Sequence, residues 1–164
     1  MTRSYEDDWD RAKTFIPEAR MLIAQCLAKY LVLEAPMVED RERNTDFIVL
    51  KSNDIRIACR VRKHYAIQWK HQFTIRSFRA SGAKTELAKI NEGWGDFFFY
   101  GIADDSDTKI EQWTLSDLET FRQWYPEGQN KLSYRLNDDG HSGFVIGSWR
   151  DLPDRFIIAS SEPR

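Results

Sequence analysis

The chain predicts a mixed α/β (α+β) domain: a central β-sheet of mixed direction with helices packed against it. Three observations predict it. The run EARMLIAQCLAKYLVLEA carries apolar residues at helical spacing. IRIACRVR and FTIRS alternate as half-buried strands do. DFFFYGIA is almost continuously apolar, as a strand covered on both faces must be. At 164 residues, one domain over 1–164 is expected, with a core over about 15–125 and a C-terminal extension over 126–164.

In chain order, Ser4 or Asp7 is placed to cap a first short helix reaching Lys13, with early acids suited to the helix dipole. Pro17 fits the first turn of a second helix. Ile23, Leu27, Tyr30 and Leu31 share its apolar stripe, and Pro36 ends it. The charge-dense connector MVEDRERNTD leads into DFIVL, a strand by its β-branched and aromatic content. KSND turns the chain into IRIACRVR, HYAIQWKHQ forms a longer turn or hairpin tip into FTIRS, and FRASG is a loop. Thr85 and Lys84 open the helix TELAKINE, stopped by Gly93. After DFFFYGIA come the turn ADDSDT, the strand KIEQWTL and a helix, SDLETFRQWY, capped by Ser116. Beyond Pro126, PEGQNKLSYRLNDDGHSG reads as loop, before two last strands, FVIGSW and RFIIAS.

Composition narrows the function. A net charge of −2 excludes a generic DNA-coating protein, so any polyanion surface has to come from segregated charge. Cys26 and Cys59 form no CxxC and no Cys/His run at zinc spacing; they read as buried free thiols of a reducing cytoplasm. The N-terminus MTRSYEDDWDR is unlike a signal or transit peptide, and no apolar run approaches the ~20 residues of a membrane span. A cytoplasmic protein without a membrane partner is expected. His64, His71 and His141 are scattered, Gly-x-Ser-x-Gly is absent, and SGAKTE lacks the leading Gly of a Walker loop, so neither triad chemistry nor nucleotide hydrolysis has a pattern to rest on.

Charge is segregated between Ile55 and Thr85, a stretch free of Asp and Glu. It holds Arg56, Arg60, Arg62, Lys63, Lys70, Arg76, Arg79 and Lys84. If IRIACRVR and FTIRS pair, Arg60, Arg62 and Arg76 share a face opposite the apolar one, a platform for a polyanion. The tip adds Lys63, Tyr65, Trp69 and Lys70, an aromatic and basic mixture suited to base stacking at ~1–3 kcal/mol per base. With Arg79 and Lys84 these form the expected nucleic-acid-binding set. Plainer readings stand beside these. The arginines could be neutralised by the acids of EDRERNTD, the aromatics could anchor a turn to the core, and Gly93-Trp94-Gly95-Asp96 could be helix-to-strand punctuation.

The order α-β-β-β-α-β resembles the core of the PD-(D/E)XK nuclease-like superfamily, the restriction-endonuclease-like fold. The blocks DRERNTDFIVL, IRIACRVR, FTIRS and KTELAKINEGWGDFFFYG are also similar to a family of uncharacterised phage- and prophage-associated proteins, a likeness that leaves out the C-terminal extension. In active members of the superfamily, an acid on one strand and a Glu-x-Lys on the next gather around Mg²⁺ or Mn²⁺. Carboxylates suit that hard cation, and the Lys positions or activates water. The resemblance makes Asp46, at the start of DFIVL, the first acid and metal ligand. The next strand offers Arg60-Val61-Arg62, or Thr74-Ile75-Arg76 if strands are counted one later, and neither keeps the carboxylate. Gln68-Trp69-Lys70 fits a Gln-x-Lys variant but lies in the tip. An arginine at a metal-ligand position repels Mg²⁺ and attracts phosphate.

A relocated acid could come from Glu34, Glu39, Asp40, Glu86 or Asp96. The candidate catalytic set is thus Asp46, Arg60, Arg62, Arg76 and Glu86, while Asp46 also reads as a cross-strand ion-pair partner of Arg60 or Arg62. Two function classes follow. One is a nuclease-fold protein of phage or prophage origin that binds nucleic acid, with or without metal-dependent phosphodiester hydrolysis. The other is a catalytically inactive interaction or regulatory module that binds a protein through aromatics such as Trp94, Trp124 or Trp149.

Overall fold

Phe15, Ala19 and Ile23, four residues apart, are all fully buried, and this stripe lays helix α1 (Tyr5–Cys26) onto the sheet. The structure, a computed structural model, describes residues 5–27, 31–36, 46–50 and 55–162. The two helices expected on either side of Pro17 are one, with Pro17 inside. An interior proline costs ~3 kcal/mol. Here the buried stripe runs through it, with Phe15 before and Ala19 and Ile23 after, so packing outweighs the lost hydrogen bond. Arg11, on the same helix, donates to the Asp107 carboxylate at 2.8 Å and to the Val61 carbonyl at 3.0 Å, which ties α1 to the end of the sheet.

The helix expected to reach Pro36 ends at Cys26, and Leu31–Glu34 form strand β1 instead. β1 pairs antiparallel with β2 (Phe47–Leu50), an arrangement that local helical spacing does not reveal. Strands β3 (Ile55–Arg62), β5 (Phe97–Ala103), β6 (Ile110–Asp117) and β9 (Ile157–Ser160) complete a six-stranded mixed sheet in the order β1-β2-β3-β5-β6-β9. β3 and β5 run parallel, Ile57 beside Phe97 and Arg62 beside Ile102, and every other neighbouring pair is antiparallel.

IRIACRVR and FTIRS are not partners. β2 and β5 already occupy both edges of β3, so β4 (Gln72–Arg79) pairs with β8 (Ser142–Ser148), which pairs with β7 (Ser133–Leu136) in a second, three-stranded sheet. The expected hairpin tip is a 3-10 helix, His64–Trp69, that carries the chain from one sheet to the other. β7 and the end of the helix over Leu118–Gly128 replace part of the long loop expected after Pro126.

Helix α2 (Glu86–Asn91) begins as expected at Thr85, whose hydroxyl accepts the Ala88 N–H at 3.2 Å, and Gly93 follows it at φ +94°. Helix α3 (Leu118–Gly128) is capped by Asp117 rather than Ser116. The Asp117 carboxylate accepts the N–H groups of Glu119 and Thr120, whereas Ser116 is fully buried and donates to the Phe98 carbonyl at 3.0 Å.

Each face of the main sheet has its own apolar layer. Phe47, Ile57, Phe99 and Leu115 meet α1 on one side. Ala58, Phe98, Tyr100, Phe73, Phe121 and Trp149 pack on the other, between the main sheet, the second sheet and α3. This accounts for the apolar run DFFFYGIA: Phe99 serves one layer, Phe98 and Tyr100 the other. No helix among the described residues is long and apolar enough to cross a membrane. The connector over 37–45, the KSND turn at 51–54 and Ser4 lie outside the described residues.

Candidate nucleic-acid interface

Alternation along β3 sends Ile57, Cys59 and Val61 towards α1 and leaves Ala58, Arg60 and Arg62 on the opposite face. That face is covered: Ala58 is 2% exposed beneath the second layer. Arg60 Nη2 donates to Glu86 Oε2 at 2.5 Å, with side chains 19% and 7% exposed. The same oxygen accepts the Arg76 backbone N–H at 2.8 Å. Glu86 sits in the first turn of α2 and binds the end of β3 to strand β4. The arginine platform therefore needs correcting, since Arg60 has its counter-ion inside the protein. It comes from α2; the connector acids over 37–45 lie outside the described residues.

Arg62 differs. Its Nη1 donates to Thr74 Oγ1 at 3.1 Å and its Nη2 to the Tyr65 hydroxyl at 3.3 Å. Thr74 is buried and within 3.4 Å of the Tyr100 hydroxyl. Among the described residues, no carboxylate reaches the half-buried Arg62 guanidinium. Hydroxyl dipoles orient it without neutralising it, so its field remains open to an anion.

Arg62, Thr74 and Tyr100 line a cleft of about 310 Å³ between the 3-10 helix and the β7–β8 hairpin. Tyr65 and Trp69 also line it, 54% and 44% exposed, with ring centroids 6.3 Å apart and planes at 83°. Facing residues are Arg135, Leu136, Phe144 and Ile146, with Asp138 from the hairpin turn. Sequence reasoning missed Arg135, because SYRL fell in a segment read as loop. Its own alternation of aromatic, cation and apolar residue was the available signal.

The other expected contacts lie elsewhere. Lys70 Nζ meets both Glu162 carboxylate oxygens at 3.0 and 3.1 Å, and Lys84 pairs with Glu92 at 2.7 Å. Lys63 and Arg79 are half-buried outside the cleft lining, and Arg79 Nε is buried without a hydrogen-bond partner among the described residues. From the expected set, only Arg62, Tyr65 and Trp69 converge. The tryptophans expected to offer a protein-binding surface are not a shared exposed patch. Trp149 is 7% exposed and donates its indole N–H to the Lys70 carbonyl, Trp124 packs on the core, and Trp94 is half-buried.

Asp46 sits at the start of β2, and its carboxylate accepts the Cys59 backbone N–H. Burial and the Asp46 charge together push the Cys59 thiol well above its ordinary range. Asp96, another candidate acid, accepts the Arg56 N–H at 2.7 Å. Glu39, Asp40 and the side chain of Glu34 lie outside the described residues. Among the described residues, no three His, Cys, Asp or Glu side chains gather closely enough to hold a metal ion. Of the described candidate acids, Asp46 accepts a backbone N–H and Glu86 is bound to Arg60, so these two are not brought together as a ligand pair.

Comparison of the chain with protein-family models, curated proteins and solved structures finds no match.

Proposed function

We propose that the protein binds nucleic acid at the Arg62 cleft, on a nuclease-like core that does not use a metal to cleave. The observation that carries this reading is the Arg62 guanidinium, half-buried, held among the described residues by hydroxyls alone, and lining one cleft with Arg135 and two exposed aromatics. Element order supports the nuclease-like core. α1-β1-β2-β3-α2-β5 keeps the order α-β-β-β-α-β once β4 is assigned to the second sheet. The three strands are then β1, β2 and β3, and Asp46 still opens the strand before Arg60-Val61-Arg62. Engagement of Asp46 with backbone and of Arg60 with Glu86 supports binding without hydrolysis. A phage or prophage origin is part of the same proposal.

Binding of labelled DNA and RNA oligonucleotides across a salt series tests it. Affinity should fall steeply with ionic strength, and Arg62→Gln should reduce the log–log slope by about 0.7–0.9. Absence of binding at low salt, or an unchanged slope in the variant, would end this reading.

A second reading, a protein-binding module, draws on β7. This edge strand of the second sheet exposes all four of its residues, including Tyr134 at 58% and Leu136 at 44%. A partner strand added there would bind with little dependence on salt.

A further inference from the structure

We propose that the cleft accepts one unstacked base of a single strand, with Arg62 and Arg135 on the adjoining phosphates. This rests on the nucleic-acid reading above and names its substrate class. Size is the first argument. A cleft of about 310 Å³ is at the small end of organic-ligand sites, the scale of one base and its sugar, and it cannot admit a duplex.

Chemistry of the lining is the second argument. A duplex offers the edges of its bases in the grooves and keeps their faces stacked. Leu136, Phe144, Ile146 and the rings of Tyr65 and Trp69 would gain little from such edges or from phosphate. They gain from the face of an unstacked base, which any of the bases provides. Edge-to-face packing fixes Tyr65 and Trp69 against each other, yet each keeps about half of its surface exposed.

The polar groups are arranged to match. Both cations in the lining are guanidiniums, whose planar forks suit phosphate oxygens, and Arg62 already donates to the Tyr65 hydroxyl on the aromatic wall. A phosphate on Arg62 would thus lie next to a base on Tyr65. Asp138 is the one carboxylate in the lining among the described residues, and it can accept a hydrogen bond from an exocyclic amino group of the bound base.

The test measures fluorescence anisotropy of labelled oligo-dT, oligo-rU and a blunt duplex of equal length, at one salt concentration. Single strands should bind at least about tenfold more tightly than the duplex. Trp69→Ala should lower single-strand affinity by about five- to a hundred-and-fiftyfold and so erase most of the preference over the duplex. Single strands should quench tryptophan fluorescence in the wild type. Trp69→Phe should retain binding but lose most of the quenching. Tighter binding of rU assigns RNA as the strand and tighter binding of dT assigns DNA; either supports the inserted base. Equal affinity for duplex and single strand, with Trp69→Ala indifferent, overturns insertion while nucleic-acid binding stands. If no oligonucleotide binds, both readings fall.

Discussion

The Arg60 guanidinium and the Glu86 carboxylate meet at 2.5 Å in the seam between β3 and α2, and their meeting divides the arginine face in two. Two residues further on, Arg62 meets only hydroxyls among the described residues. One arginine is matched by a carboxylate and the other is oriented by hydroxyls, although the sequence presents them as equivalent members of one strand face.

Loss of the Glu86 carboxylate strands the Arg60 charge and removes the acceptor of the Arg76 N–H. Breaking a buried pair costs ~3–5 kcal/mol, and the partial exposure of Arg60 favours the lower end. Glu86→Ala should therefore destabilise by ~3 kcal/mol in urea denaturation. Glu86→Gln, which keeps an oxygen for Arg76, should lose less, and Arg60→Met with Glu86→Leu should regain most of the loss. A Glu86→Ala loss below ~1 kcal/mol would contradict a structural role for the pair.

Local patterns in the sequence located most elements because their causes are local. Thr85 caps α2, β3 alternates, and β5 is apolar because apolar layers lie on both of its faces. Features that depend on distant partners escaped. Leu31–Glu34 continues a helical pattern but finds β2. β4 finds β8, from the far end of the chain, because both edges of β3 are taken. The same limit applied to the site. Alternation predicted which face of β3 carries Arg60 and Arg62, but their partners come from α2, β4 and the 3-10 helix. Alternation in SYRL marks Arg135 as a strand residue, but its place beside Arg62 depends on the pairing of β7 with β8 in the second sheet.

Metal-dependent cleavage is expected to be absent. Asp46 is engaged with the Cys59 N–H, and the following strand offers Arg60 where a second acid would be needed. Plasmid and single-stranded DNA incubated with Mg²⁺ or Mn²⁺ should stay intact on gels. Cleavage by the wild type that vanishes in Asp46→Asn would restore the nuclease reading.

The Cys59 thiol supplies a pH dependence of defined sign. Burial first, then the Asp46 charge, raises its pKa well above the ordinary 9.0. Above that value the unfolded chain releases the proton while the folded chain retains it. The unfolded state then binds fewer protons, and stability falls as pH rises. Below pH 9.0 the contribution is fully present. Urea midpoints should decline through this alkaline window more steeply for the wild type than for Cys59→Ala. Parallel declines would show that Cys59 is not the titrating group. In the native protein near neutral pH, the same thiol should react far more slowly with a thiol reagent than it does after unfolding.

Gly147 links core packing to the cleft. A methyl group on it would meet two Phe73 ring carbons at 2.4 and 2.7 Å and a Leu132 methyl at 2.9 Å. Phe73 is fully buried, with Trp149 at 4.7 Å and Phe156 at 5.9 Å between ring centroids, so it has little room to yield. Gly147→Ala should cost ~1–3 kcal/mol by overpacking. Gly101→Ala serves as the control. Its nearest contacts are 3.3 to 3.4 Å, and a strand glycine gains ~0.5–1 kcal/mol from a methyl group, so the net change should be small. A displaced Phe73 also moves its neighbour Thr74, whose hydroxyl orients Arg62. Gly147→Ala should then weaken oligonucleotide binding under conditions where the variant is still folded, and Gly101→Ala should not. Equal binding by both variants would show that the Arg62 cleft tolerates movement of β4.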